Sequence, residues 1–265
     1  MTNHELVKVL SKGESLQDSF DLRGRSGVVA LVGAGGKTSL MYALAHEIVG
    51  EGKSVVTTTT TKIFPPTKNQ SPCLVLLEDD PDLRTCTDCL AEFQHVTVAV
   101  SRISGMGKLQ GVDRQIVSRL SYLADYVLVE ADGAAGRPVK APAEWEPVIP
   151  PSTTLVVPLV GLDSLGKPAT EQWVFRLERF CSVTGLKPGE SITPQALGRL
   201  LCHPQGSLKD APARAGVVPF LNKLDLLKNH RAIDDIVSMI GVFAGGRIRK
   251  LVTGAVGKAE RSRLV

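Results

Sequence analysis

No apolar run in this chain of 265 residues approaches the roughly 20 residues that a membrane-crossing helix requires, which sets integral membrane proteins aside. The N-terminus, MTNHELVKVL, carries no long apolar stretch behind basic residues, so no targeting signal is read there and a cytoplasmic location is expected. Massed positive charge is also missing. Lysine and arginine total 31 against 27 acidic residues, for a formal net charge of +4, and they are spread along the chain, so no nucleic-acid partner is expected. The five cysteines are odd in number and scattered, which favours reduced thiols over a disulfide framework. Cys86 and Cys89 form a single C-x-x-C with Cys73 and His95 nearby. Without a second pair or a strand-to-helix setting, ordinary thiols are preferred there to a metal or redox site.

With 43% hydrophobic and 22% charged residues, the composition is that of an ordinary globular protein. One domain over residues 1–265 is expected, with residues 1–26 readable as a separate N-terminal extension and 257–265 as a basic tail.

The most informative segment is GVVALVGAGGKTS, Gly27 to Ser39: an apolar strand, a glycine cluster, then Lys37, Thr38 and Ser39 opening an amphipathic helix. Glycines allow the backbone to approach an anion closely, and the helix N-terminus turns its free N–H groups toward it. Gly33, Ala34, Gly35, Gly36, Lys37, Thr38 and Ser39 are therefore the candidate phosphate-binding residues. Lys37 supplies charge to the terminal phosphates and Thr38 a hydroxyl for Mg²⁺. The usual P-loop spacing would place a glycine where Leu31 stands, so the loop reads as a shortened variant.

Beyond it the chain alternates strands and helices. Strands are read at 53–57, 73–77, 96–100, Tyr126–Glu130, Thr153–Val160, 217–221 and 248–252, and helices at 80–92, 114–123, 170–183, Pro194–Cys202 and 233–243. This alternation predicts an α/β fold with three layers, P-loop NTPase-like, its mainly parallel sheet covered by helices on both faces. Pro158 suggests that its strand is an edge or ends irregularly. Thr193 is a candidate cap, with Pro194 at the first helical position.

Three further constellations bear on chemistry. TTTTTK, Thr57 to Lys62, ends a strand at the sheet edge where ligands of such folds bind, and makes Thr60 and Lys62 candidate contacts. Glu130 and Asp132 follow a second strong strand and stand two residues apart, so both are candidates to hold Mg²⁺ with Thr38 or to orient water, and with Lys37 they make the catalytic set. Asn222-Lys223-Leu224-Asp225 resembles the guanine-recognition motif of GTP-binding proteins. An ionised Asp225 accepts both guanine donors, whereas adenine would present an acceptor; a polar turn capping the next helix is the alternative. Lys62, Lys108, Arg137 and Lys140 could converge on an anion, a triphosphate or a pterin cofactor phosphate.

Taken together, LVGAGGKTSLMYALA, TTTTTKIFPP, KLQG, YVLVEADGAAGRPVKAPAEWEPVIP, VGLDSLGKP and FLNKLD resemble the YqeC family, accessory proteins of selenium-dependent molybdenum hydroxylases linked to selenium cofactor biosynthesis. The resemblance implies a nucleotide-binding maturation factor with a protein partner, using Mg²⁺ with GTP or ATP and in one reading the molybdenum cofactor. Val32 stands where many maturation GTPases carry a lysine that reaches across a dimer, and the oligomeric state stays open. The expected activity is Mg²⁺-dependent nucleoside triphosphate hydrolysis, GTP favoured. Its alternatives are phosphoryl transfer to a small molecule, and a carrier that binds cofactor without turnover.

Overall fold

The computed structural model describes residues 7–10 and 14–256; the basic tail read at 257–265 lies outside them. In chain order the strands are β1 (Val7–Val9), β2 (Gly27–Gly33), β3 (Val55–Thr59), β4 (Lys62–Ile63), β5 (Leu74–Leu76), β6 (His95–Ala99), β7 (Ser101–Ile103), β8 (Lys108–Gln110), β9 (Tyr126–Glu130), β10 (Val139–Lys140), β11 (Thr153–Gly161), β12 (Val174–Phe175), β13 (Gly216–Val217), β14 (Phe220–Asn222) and β15 (Leu251–Thr253). The α-helices are α1 (Leu16–Ser19), α2 (Lys37–Gly50), α3 (Arg84–Phe93), α4 (Arg114–Leu120), α5 (Leu177–Thr184), α6 (Pro194–Cys202) and α7 (Arg231–Phe243).

Ten strands form one sheet in the order β1-β15-β14-β11-β2-β9-β3-β6-β5, with β13 beside β11, and every pairing in it is parallel. The central strands are apolar throughout because both faces are covered. In β2, Val29 and Leu31 pack into the core built with α1 and α2, while Val28, Ala30 and Val32 enter the opposite core with α3 and α4. β9 divides in the same way, Leu128 to one side and Val127 and Val129 to the other. A third core joins β11, β14 and β15 to α5, α6 and α7. The protein is thus a three-layer α/β fold with a mainly parallel sheet, and no helix among the described residues is long and apolar enough to cross a membrane.

Several local expectations need correction. Pro158 does not mark an edge: β11 lies between β2 and β14 near the middle of the sheet. Its ladder on the β2 side includes Ala34 N–H donating to Leu159 O, so the alternating backbone turns the Pro158 nitrogen the other way. On that side the pairing passes from β13 at Val156 to β14 at Leu159, and the missing N–H costs no rung. The strand read at 217–221 is likewise two short strands flanking Pro219. The helix expected at 170–183 begins only at Leu177; Val174 and Phe175 instead pair with Val139 and Lys140. The Thr193 cap is present, its hydroxyl accepting from Ala196 N–H at 3.2 Å.

The expectation of reduced thiols fails at one pair. Cys73 and Cys89 are joined in a disulfide, with Cα atoms 6.3 Å apart, while Cys86, Cys181 and Cys202 are free. Cys73 immediately precedes β5, which pairs with β6, and α3 carries Cys89 across the same region. Tertiary packing brings together two residues that sequence spacing did not connect. No cluster of three His, Cys, Asp or Glu side chains among the described residues could hold a metal ion.

Candidate functional site

The carboxyl ends of β2, β9 and β3 lie side by side, with Leu31 opposite Glu130 and Thr59 opposite Glu130 in the two ladders. Parallel sheets bind ligands at this edge. β2 leaves it through Gly33 to Gly36 into the 14-residue helix α2. Gly35 takes φ +94° and Gly36 φ +122°, a region in which L side chains are strained. A Cβ on Gly36 would also stand 2.5 Å from Asn222 Nδ2. Gly33 N–H donates to Asp132 Oδ2 at 3.0 Å and Ala34 N–H to Leu159 O, which leaves the Gly35 and Gly36 amides and the start of α2 facing the open side.

Lys37 and Thr38 meet the acidic pair directly. Lys37 Nζ donates to Gly33 O at 2.6 Å and lies 3.1 Å from Asp132 Oδ1 and 3.8 Å from Glu130 Oε1. Thr38 Oγ1 donates to Glu130 Oε2 at 2.6 Å. Burial disfavours charge on Lys37, but Asp132 and Glu130 outweigh it and hold the ammonium pKa above its ordinary value. Burial raises the Glu130 carboxyl, with Lys37 and the Thr38 hydroxyl only partly opposing the rise.

The two acids have different surroundings. Glu130 lines an open cleft of about 680 Å³, together with Gly35, Gly36, Lys37, Thr38 and Ser39. Asp132 is 1% exposed and turns inward, where Lys140 Nζ reaches its Oδ2 at 3.1 Å. Lys140 also donates to Gly133 O at 2.7 Å and to Glu146 Oε2 at 2.8 Å. Arg176 then closes on Glu146 with two bonds of 3.1 Å each. Burial works against the Glu146 carboxylate, yet Arg176 and Lys140 hold its pKa below the usual value. A buried ionic chain thus runs from Thr38 to Arg176.

This chain is the part that the sequence did not announce. Lys140, read as a possible anion contact, is 1% exposed and committed to Asp132 and Glu146. Its position between Val139 and Ala141, both fully buried, is the signal that could have marked it as interior. Lys62, Lys108 and Arg137 do reach the cleft. The threonine hydroxyls mostly bond within the protein: Thr58 to Val98 O, Thr59 to Glu130 O and Thr60 to Val148 O.

Around Asn222 the motif divides. Asn222 is buried, donating from Nδ2 to Gly35 O at 2.8 Å and accepting at Oδ1 from Lys223 and Val256 N–H. It clamps the end of β14 to the glycine loop. Lys223 lines the cleft and pairs with Asp163 Oδ2 at 2.7 Å. Asp225 sits in an exposed 3₁₀ turn, Leu224–Leu226, outside the cleft lining.

Mg²⁺ suits the remaining oxygens. It needs only one or two protein ligands beside phosphate oxygens and water, and the Thr38 hydroxyl and Glu130 carboxylate are hard donors already in contact where they line the cleft.

Comparison with known proteins identifies relatives of this chain. A family model described as YqeC protein matches residues 29–178, which takes in most of β2, the glycine loop, both acids, Glu146 and Arg176. A protein of Escherichia coli (strain K12), named "Uncharacterized protein YqeC", is 34% identical over 218 residues, covering 80% of this chain and 82% of its own length. On that match, over sequence that includes the whole ionic chain, the protein belongs to the YqeC family.

Proposed function

We propose that the protein is a Mg²⁺-dependent nucleoside triphosphate-binding protein of P-loop NTPase-like architecture, with GTP preferred, that serves as a maturation factor in selenium and molybdenum cofactor assembly for a molybdenum hydroxylase. The observation that carries the nucleotide part is the meeting of Lys37, Thr38 and Glu130 at the N-terminus of α2, on the floor of a cleft of about 680 Å³. The maturation part is supported by membership of the family that the motifs resemble.

In this reading the Gly35 and Gly36 amides and the first turn of α2 bind the β- and γ-phosphates. Lys37 exchanges its contact with Gly33 O for a phosphate oxygen and stabilises charge on the transferred group. Thr38 and Glu130 would hold Mg²⁺, which when bound neutralises phosphate charge. Glu130 faces the cleft and also orients water; Asp132 keeps the loop and Lys37 in place from behind. Nucleotide state is transmitted through the Gly133–Arg137 wall of the cleft to a partner protein.

The GTP preference rests on Asn222, Lys223 and Asp225, with Asn222 fixing the motif against the loop. Calorimetric titration with GTP and with ATP, each with and without Mg²⁺, tests both parts while phosphate release is followed. Mg²⁺-dependent binding with GTP at least tenfold tighter is expected, lost in Lys37→Ala, with the preference narrowed in Asp225→Asn. Equal affinities would overturn the base assignment alone. No binding of either nucleotide would overturn the proposal.

A further inference from the structure

Two ammonium groups face the buried Asp132 carboxylate, one on each oxygen: Lys37 Nζ lies 3.1 Å from Oδ1 and Lys140 Nζ 3.1 Å from Oδ2. Their settings differ. Lys37 opens α2 and lines the cleft, with Gly33 O at 2.6 Å as its hydrogen-bond acceptor. Lys140 stands outside the cleft lining, its side chain fully buried. It belongs to β10, whose parallel ladder sets it opposite Phe175, and its Nζ is 5.6 Å from the centroid of that ring. Gly133 O at 2.7 Å, Glu146 Oε2 at 2.8 Å and Asp132 Oδ2 at 3.1 Å take up the three donors that an ammonium has. One cation is therefore placed at the cleft, and the other is fixed behind the glycine loop.

Moving Lys37 from Gly33 O to a phosphate oxygen draws its ammonium away from Asp132 Oδ1. Among the described residues this oxygen has no hydrogen-bond partner, and the Lys37 ammonium is the charge beside it. Asp132 is 1% exposed, so water does not take the place of the departing cation. A buried carboxylate left without a counter-ion is strongly disfavoured, and with Lys37 as its sole partner that cost would weaken phosphate binding. Lys140 removes the difficulty. It keeps a cation at Oδ2, where Gly33 N–H also donates at 3.0 Å, so the carboxylate and the glycine loop stay in place while Lys37 moves. Glu146 competes for the same ammonium, and Arg176 moderates that competition by holding both Glu146 oxygens at 3.1 Å.

We infer that Lys140 is a positioning residue for the phosphate site: as the fixed counter-ion of Asp132, it frees Lys37 to pair with the nucleotide's terminal phosphates. The inference rests on the nucleotide reading of the cleft and assigns a role in it to a side chain that the ligand does not touch.

The test is a calorimetric titration of the full chain with a non-hydrolysable GTP analogue and Mg²⁺, in wild type and three variants. Lys140→Met leaves Asp132 to Lys37 and should bind the analogue at least about tenfold more weakly, within the range of coupling between neighbouring charges. In the double variant Asp132→Asn/Lys140→Met the charge that retains Lys37 is gone, while an amide oxygen still accepts from Gly33 N–H. Its affinity should return to within about threefold of wild type. Glu146→Gln leaves Lys140 more fully to Asp132 and should bind at least about twofold tighter. A merely structural role for the ionic chain would weaken binding in all three variants, in step with their thermal midpoints, and would overturn the inference. Unchanged affinity in Lys140→Met, or no recovery in the double variant, would overturn it and leave the nucleotide reading intact. Equal or weaker binding in Glu146→Gln would do the same, and this variant decides alone where Lys140→Met does not fold. No analogue binding by the wild type would remove both readings.

Discussion

Asp132 and Glu130 stand two residues apart, yet their substitution should have different consequences. Asp132 accepts from Gly33 N–H and lies at 3.1 Å from both Lys37 and Lys140, so Asp132→Ala strands buried ammonium groups. Removing one partner of a buried pair costs about 3–5 kcal/mol, which urea denaturation would read. Glu130 faces the cleft and burial already opposes its charge, so the neutral Glu130→Gln should cost less stability than Asp132→Ala while abolishing the Mg²⁺ dependence of nucleotide binding. His95 gives a pH signature. Burial, with His46 nearby, lowers its pKa from 6.5 to about 4, and Thr57 Oγ1 lies 3.2 Å from its Nε2. The folded imidazole stays neutral where the unfolded one takes a proton, so its contribution is complete above pH 6.5 and is lost as pH falls toward 4. Unfolding free energy should drop across that window, by up to about 3 kcal/mol, and His95→Gln should flatten the slope; an unchanged slope would remove His95 as its source.

Strands and helices differ in how plainly the sequence displays them. β2 and β9 are continuous apolar runs because cores lie on both faces, and Pro194 with Thr193 announces α6 by its capping chemistry. The two- and three-residue strands β4, β7, β8, β10 and β12 are too short to establish a period. Pairing across the fold, not local preference, makes Val174–Phe175 a strand. The glycine loop and its acids were legible for a local reason: strand, loop and helix are contiguous. The links of Asp132 to Lys140, and of Glu146 to Arg176, join segments that no local pattern connects, with Lys140 in β10 and Arg176 just ahead of α5. The Cys73–Cys89 disulfide belongs with these long-range links. It predicts three titratable thiols in denaturant without reductant and five after reduction. Cys73→Ser should lower stability by about 3 kcal/mol, the entropic value for closing a loop of this order. Five thiols before reduction would show the bond to be absent.

Taken whole, the molecule closes its sheet and core with N-terminal residues. β1 adds a strand beyond β15, and Leu16, Phe20 and Leu22 enter the core on the α2 face. Glu47 of α2 accepts from Leu16 N–H at 2.7 Å and Gln17 N–H at 3.2 Å, tying α1 to the helix that carries the glycine loop. A chain starting at Gly27 should therefore lose several kcal/mol, at about 1.5–3 kcal/mol for each large apolar side chain buried. Denaturation midpoints would show the loss, and an unchanged midpoint would mean that these residues contribute little to the fold.

The ionic chain has an outer end as well as an inner one. Arg176, which holds Glu146, lies over the rings of Trp145 and Phe175, at 5.3 and 4.8 Å from their centroids, and Trp145 is 69% exposed. Fixed charges therefore connect the floor of the cleft to an indole at the surface, in a chain whose second indole is Trp173. The protein carries a built-in fluorophore at the far end of its charge chain, and once Trp173 is replaced by phenylalanine, Trp145 emission becomes a label-free optical readout of what occupies the glycine loop.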